Sequence, residues 1–225
     1  MRLLRECPSS AWCEEWASAH RVCLAMLKPM AEFSISLTDT NYESRLALAK
    51  TLARELAFEI PPVFEGYDAT TRWTTAIKDV LRKLMPQTWR MIPLRNDSSA
   101  GEFLVDACWW VNSMGAALVA EFEWHHSWEE IVKDFEKLLV IKSPIKLMIF
   151  ASSKGALSSS KIEKELKGYL SEYDHHIAGE TYIFIDYWPE EHVRAFIWQA
   201  TTNGHAEITF EEHFKPEIFT RRWTP

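Results

Sequence analysis

Residues 102–124 read EFLVDACWWVNSMGAALVAEFEW, and this stretch decides the fold. Its first part, 102–111, is apolar almost throughout and rich in β-forming residues, which is typical of a central strand. The Asn-Ser-Met-Gly sequence at 112–115 predicts a turn, and residues 117–124 predict a second strand. The stretch therefore predicts a β-hairpin whose turn lies near residues 113–114.

Three acidic residues stand on this hairpin. Alternate residues of a strand share a face, so Glu121 and Glu123 point the same way. With a turn near 113–114, Asp106 lies opposite Glu121 or one step from it, and such cross-strand neighbours are about 5 Å apart at Cβ. We therefore expect the three carboxylates to meet on one face of an otherwise apolar hairpin.

Carboxylates that converge in this way repel one another unless something compensates their charge. A divalent cation does so, since Mg²⁺ binds one or two carboxylates and completes its shell with water and phosphate. Such a cation polarises a phosphoryl group and lowers the pKa of an attacking water. The alternative is a solvated sheet face on which the three acids are simply exposed, and the spacing leaves both interpretations open.

The segments after the hairpin alternate between helix and strand. Ser127 and Glu130 form a capping-box pattern, and the apolar spacing of residues 127–140 predicts an amphipathic helix. Ser160 and Glu163 predict the start of another helix in the same way. Strands are predicted at 145–151, 180–187, 192–200 and 206–213, with an Asn-Gly hairpin turn at 203–204.

Helices are predicted before the hairpin, over residues 11–27, 41–59 and 72–85, and the proline pair at 61–62 is expected to end the second. The pattern as a whole predicts an α/β fold in which helices flank a mixed central β-sheet. The predicted organisation is an N-terminal helical region (1–69), an α/β core (70–213) and a C-terminal tail (214–225).

Composition sets limits on the class of protein. The 225 residues are 47% hydrophobic and 25% charged, which excludes a disordered chain, a collagen and a coiled-coil rod. The net charge of −7 argues against a histone-like DNA binder. Residues 133–167, however, hold eight lysines against four acids. This basic band is either a surface that contacts phosphates or an ordinary solvated face.

The cysteines and the hydropathy predict a cytoplasmic protein. The four cysteines, at positions 7, 13, 23 and 108, form no Cys-x-x-Cys pair, so we expect free thiols in a reducing compartment. The start of the chain has no apolar run of signal-peptide length, and the most apolar stretch, 103–124, is too interrupted for a membrane helix. We therefore expect no membrane contact.

The strand with Asp106, the strand with Glu121, the capped helix and the strand at 145–151 together resemble the core of the PD-(D/E)xK nuclease superfamily, the restriction-endonuclease-like fold. The superfamily pattern is an Asp on one strand and (Asp/Glu)-x-Lys on the next. Asp106 and Glu121 match the two acids, and Glu123 stands where the lysine is usual, as in restriction enzymes of this fold that use Glu-x-Glu. The resemblance covers about residues 70–213.

The resemblance implies a Mg²⁺- or Mn²⁺-dependent DNA nuclease, in which Asp106 and Glu121 bind the metal and Glu123 is a further metal ligand or orients the attacking water. Lys133 and Lys137, one turn apart on the helix that follows, are candidates to contact DNA and to replace the usual lysine, with Lys137 preferred for the catalytic role. Glu102 is a candidate outer metal ligand or a residue that faces DNA. The expected partners are DNA and a second copy of the chain in a homodimer. The alternative is a catalytically inactive member that binds nucleic acid or a protein partner.

Overall fold

Four helices and seven strands make up the part of the chain that the computed structural model describes, residues 42–66, 70–92, 104–112, 115–125, 127–152, 158–188, 192–201 and 206–214. The helices are α1 (Tyr42–Gly66), α2 (Thr70–Leu84), α3 (Trp128–Val140) and α4 (Ser159–Glu172). The strands are β1 (Arg90–Ile92), β2 (Ala107–Val111), β3 (Gly115–Glu123), β4 (Ile145–Ala151), β5 (Thr181–Trp188), β6 (His192–Ala200) and β7 (Ala206–Phe214).

All seven strands belong to one mixed sheet, in which they lie in chain order from β1 to β7. The pairs β1–β2, β2–β3, β5–β6 and β6–β7 are antiparallel. The central pairs β3–β4 and β4–β5 are parallel, and α3 and α4 are the crossover connections that parallel neighbours require. The predicted α/β class, a mixed sheet flanked by helices, is confirmed.

Helix α3 packs on one face of the sheet through the apolar stripe that its sequence predicts. Ile131, Phe135 and Leu138 are buried and belong to one hydrophobic core with β-strand residues such as Met148 and Phe184. The same core includes Ile162, Leu166 and Leu170 of α4. Both crossover helices therefore cover the same face, which is also the face that Glu121 shares by strand parity with buried Val119.

Helix α1 packs against β5 and β6 and lies in the same compact unit as the sheet. Its buried residues recur at helical spacing, among them Leu48, Leu52 and Leu56. Strand residues of the opposite parity, such as Ile183 and Ile185, supply the other side of this second apolar layer. Among the described helices, α1 included, none combines the length and the apolar character needed to cross a membrane.

Several predicted boundaries differ from the structure. Helix α1 continues through the proline pair at 61–62 to Gly66, although each proline lacks an N–H for the helical hydrogen bonds and its ring crowds the carbonyl four residues earlier. Strand β2 begins at residue 107, and residues 104–106 bend before it. Strand β1, only three residues long, was not predicted. The predicted helix 11–27, the turn 203–204 and the tail lie outside the described residues.

A buried polar network ties the amino ends of β4 and β5 to the helices. The Lys146 ammonium, whose side chain is 1% exposed, lies 2.8 Å from Oε1 of Glu180 and donates hydrogen bonds to the Tyr182 hydroxyl and to the Leu139 carbonyl. Tyr182 donates in turn to Glu180 Oε2. Burial lowers the pKa of Lys146, and the charge of Glu180 opposes that shift. All three hydrogen atoms of the ammonium therefore have acceptors within reach.

Cys108 is the one cysteine among the described residues, and it is buried as a free thiol. Burial raises its pKa to about 11. The thiolate, which is the reactive form, is therefore scarce at neutral pH, and Cys108 serves as a small apolar residue of the core.

Candidate functional site

The register of the β2–β3 hairpin brings Asp106 next to Glu121, as predicted. Ala107 pairs with Ala120, so Asp106 and Glu121 occupy the next position along the two strands. Oδ2 of Asp106 accepts a hydrogen bond of 2.9 Å from the backbone N–H of Phe122. This hydrogen bond holds the Asp106 side chain against the backbone of β3, although Asp106 itself lies in the bend that precedes β2.

Asp106 and Glu121 form a carboxyl pair. The two carboxyl groups are close enough to interact electrostatically, and the side chain of Glu121 is only 3% exposed. Burial and the neighbouring charge of Asp106 raise the pKa of Glu121 to about 8. Burial also raises the pKa of Asp106, although the Phe122 N–H opposes the shift. Glu121 therefore tends to keep its proton near neutral pH.

Glu123, the third predicted acid, lies on the same face of β3 but has other partners. Its Oε1 accepts a hydrogen bond of 2.5 Å from the backbone N–H of His125. Its side chain also interacts with the neighbouring carboxyl group of Asp134, and burial together with this contact raises the pKa of Glu123 against the effect of the His125 N–H. The structure therefore places Glu123 in a second carboxyl pair.

Helix α3 supplies Asp134 and Lys137 to the site. Lys137 Nζ lies 2.7 Å from Oδ1 of Asp134 and 3.2 Å from Oε1 of Glu121, so one ammonium bridges the two carboxyl pairs. Burial alone would lower the pKa of Lys137, but the two acids raise it. We refer to Asp106, Glu121, Glu123 and Asp134 as the acid cluster.

Asp134 was not predicted from the sequence, although a signal was present. It stands three residues after Ile131 and four before Leu138, which places it on the buried stripe of α3. A carboxylate on such a stripe needs a partner, since an isolated buried charge is costly. The partners are Lys137 and Glu123.

A second lysine approaches the acid cluster from α2. Lys78 Nζ lies 3.8 Å from Oδ1 of Asp106, and both side chains are partly buried. Because Lys78 is on a helix that precedes the hairpin by more than twenty residues, its position next to Asp106 depends on the tertiary fold. Two lysines, Lys78 from α2 and Lys137 from α3, thus contact the acid cluster.

Of the remaining predicted residues that the structure describes, Lys133 lies away from these contacts. Lys133 is 66% exposed and pairs with Glu130, one turn before it on α3. Glu102 lies outside the described residues. Within the basic band, Lys146 belongs to the buried network and contributes no charge to the surface. Lys161 and Lys164 of α4 are exposed.

The donor chemistry of the cluster fits a hard divalent cation. Asp106 and Glu121 offer carboxylate oxygens, and two carboxylates are sufficient for Mg²⁺, which keeps several waters. Oε1 of Glu121 is buried and lies 3.2 Å from the Lys137 ammonium, with which it forms an ion pair. Across the described ranges, no group of three or more His, Cys, Asp or Glu residues is arranged to hold a metal ion. Asp106 and Glu121 are the two residues that would hold such a cation.

No protein-family model, curated protein or solved structure matches the chain. The chemistry of the site follows from its own geometry. Two carboxyl pairs lie at the end of the β2–β3 hairpin, and one ammonium bridges them. This arrangement can bind a cation and can place a positive charge next to a bound anion.

Proposed function

We propose that the chain is a metal-dependent nuclease with a restriction-endonuclease-like core, a hydrolase that cleaves phosphodiester bonds of DNA. The observation that carries the proposal is the pairing of Asp106 with Glu121 beside the ammonium of Lys137. These are the two acids and the lysine that the resemblance calls for. The lysine comes from α3 because Glu123 occupies its usual place on the strand.

The order of the structural elements also supports the proposal. Three antiparallel strands, β1 to β3, are followed by a crossover helix and by β4 parallel to β3. Asp106 directly precedes the second of these strands, and Glu121 lies near the end of the third. Strand with Asp, strand with Glu, helix and strand is the order on which the resemblance rests.

Each residue of the site has a proposed role. Asp106 and Glu121 hold the cation, Mg²⁺ or Mn²⁺, which when bound supplies Lewis acidity and a more acidic water. Lys137 carries a charge that can stabilise negative charge on phosphate oxygens. Glu123 accepts the His125 N–H and thereby fixes the chain between β3 and α3. DNA and a second copy of the chain are the proposed partners, and the cytoplasm the proposed location.

A cleavage assay tests this function. Plasmid and single-stranded DNA are incubated with the protein in Mg²⁺, in Mn²⁺ and in EDTA. We expect cleavage with either metal and none in EDTA. Asp106→Asn and Glu121→Gln should each lower the rate by roughly 100-fold or more, since even indirect partners of metal ligands are worth 10–100-fold. Glu130→Gln, at an exposed position of α3, is the control and should retain the rate.

A second candidate is a catalytically inactive relative of these nucleases that binds nucleic acid or a protein partner. The contacts of Glu123 with Asp134 and His125 favour it, because they occupy the third carboxylate that a fuller metal site would use. This candidate predicts DNA binding of equal strength in Mg²⁺ and in EDTA, with no cleavage in either. A gel-shift titration run beside the cleavage assay separates the two.

A further inference from the structure

The ammonium of Lys137 occupies the position where a cation would compensate Glu121. Its Nζ is 3.2 Å from the buried Oε1 of Glu121. The same Nζ is 2.7 Å from Asp134, so the lysine has a second partner when it leaves the first. The Lys137 side chain is 41% exposed, which leaves open space into which it can withdraw.

Helix α3 contains a matched contact that shows what is particular to Lys137. Lys133 and Glu130 are three residues apart on the helix, as Lys137 and Asp134 are. Their ion-pair distance, 3.2 Å, equals that between Lys137 and Glu121, but the side chains of Lys133 and Glu130 are both well exposed. Such surface pairs contribute little, because water solvates both charges when they separate. Glu121 is 3% exposed and cannot be solvated in this way, so its ionised form depends on a nearby cation.

We infer that Lys137 is a tethered counter-ion that competes with a divalent cation for Glu121. The inference rests on the proposed function, because it takes the Asp106–Glu121 pair as the cation site. Two positive charges cannot both occupy the space in front of Oε1 of Glu121. A divalent cation therefore binds only as the ammonium withdraws towards Asp134 and solvent, and the cost of withdrawal weakens cation binding.

Calorimetric titration with Mn²⁺ in the absence of nucleic acid tests the competition. Lys137→Gln removes the competing charge, and we expect it to tighten Mn²⁺ binding on the order of tenfold. Lys137→Arg keeps the charge and should bind Mn²⁺ no more tightly than the wild type. Lys133→Gln, the matched control, should change the affinity by less than about twofold, since its charge is exposed and screened.

A further variant locates the binding. The double variant Asp106→Asn/Lys137→Gln should lose the gain in Mn²⁺ affinity that Lys137→Gln alone produces. Such a loss would show that the Mn²⁺ ion binds at the Asp106–Glu121 pair. Lys137→Met, which keeps the apolar stem, repeats the test if melting curves show that Lys137→Gln is poorly folded. An unchanged or weaker Mn²⁺ affinity in the uncharged variants overturns the inference, and so does an absence of Mn²⁺ heat in every variant.

The result is separable from that of the cleavage assay. Mn²⁺ binding that appears only in Lys137→Gln supports the competition and counts against a metal-dependent activity of the natural chain. Metal-dependent cleavage by the wild type, with Mn²⁺ affinity unaffected by Lys137→Gln, supports the nuclease and overturns the competition. The two proposals therefore fail on different measurements.

Discussion

Asp134 Oδ1 and Lys137 Nζ, one turn apart on α3, lie 2.7 Å from each other where the helix meets strand β3. The pair joins the two carboxyl pairs of the acid cluster, because Asp134 also contacts Glu123 and Lys137 also contacts Glu121. Charges this close interact strongly, so the removal of one of them changes the electrostatic balance of the others. The acid cluster should therefore respond as one unit to the loss of a charge.

The first prediction concerns the pH dependence of stability in EDTA. In the fold, burial raises the pKa of Glu121 from its ordinary value of 4.5 to about 8. Between these values the folded state binds more protons than the unfolded state. The contribution of this group to the free energy of unfolding is therefore full below about pH 4.5 and is lost as the pH rises through about 8.

Glu121→Gln should flatten this dependence, because glutamine does not titrate. Urea unfolding from pH 5 to 9 measures it, with Glu130→Gln as the exposed control on α3. We expect the wild type and the control to lose stability over this range and Glu121→Gln to lose clearly less. Parallel curves for all three proteins would show that the Glu121 carboxyl is not buried in its neutral form.

A second prediction concerns the apolar stripe of α3. Leu138 is 1% exposed in the core between the helix and the sheet, so Leu138→Ala should lower the free energy of unfolding by about 2–5 kcal/mol. Val140, two residues later, is 70% exposed, and Val140→Ala should change it by less than about 0.5 kcal/mol. Urea denaturation of both variants compares them directly. Equal losses would mean that the helix is rotated from its described orientation.

The helices and strands that could be predicted are those in which apolar residues recur with one regular spacing along the sequence. Strands β4 to β7 and helix α3 have clear apolar patterns and were predicted within a few residues. The pattern of residues 41–59 also predicted a helix, but its end was placed too early because a proline pair is an ambiguous stop signal. Strand β1 has three residues, too few for a period to emerge.

The acid cluster was predicted in part, because only some of its contacts follow from a local sequence pattern. Asp106 and Glu121 are related by hairpin register, which follows from the position of one turn. Lys78 and Asp134 come from two helices that the hairpin does not specify, so their approach depends on how α2 and α3 pack. A sequence pattern predicts which residues of a helix or strand share a face. It does not predict which side chains of another helix or strand contact that face.

A third prediction concerns the buried network at the other end of the sheet. Lys146→Met removes the cation from Glu180, whose side chain is 4% exposed. Breaking such a pair costs about 3–5 kcal/mol, because the Glu180 charge is then buried with only the Tyr182 hydroxyl and the His176 ring as partners. Lys142→Met, at an exposed position nearby, should cost less than about 0.5 kcal/mol.

The double variant Lys146→Met/Glu180→Gln checks the cause of that loss. It removes both charges, so its loss of stability should be smaller than the sum of the two single losses. Guanidinium unfolding of the four proteins gives the coupling energy. Strictly additive losses would show that the two side chains do not form an ion pair in solution.

The last prediction separates the two roles of Asp106, which are to accept a backbone hydrogen bond and to carry charge. The Phe122 N–H, buried at the end of β3, donates to Oδ2 of Asp106. Asp106→Asn keeps an oxygen acceptor there and removes the repulsion with Glu121, so the metal-free protein should be as stable as the wild type or more stable. Asp106→Ala leaves the N–H without an acceptor and should cost about 1–3 kcal/mol.

Melting curves in EDTA and in Mn²⁺ measure both roles of Asp106. In EDTA we expect the melting temperature of Asp106→Asn to equal or exceed that of the wild type, with Asp106→Ala clearly below both. In millimolar Mn²⁺ the wild type should gain thermal stability through binding, whereas neither variant should, since a ligand stabilises only the form that binds it. A loss of stability in Asp106→Asn as large as in Asp106→Ala, with no effect of Mn²⁺ on any of the three proteins, would mean that the Asp106 charge is needed for the fold and has no part in cation binding.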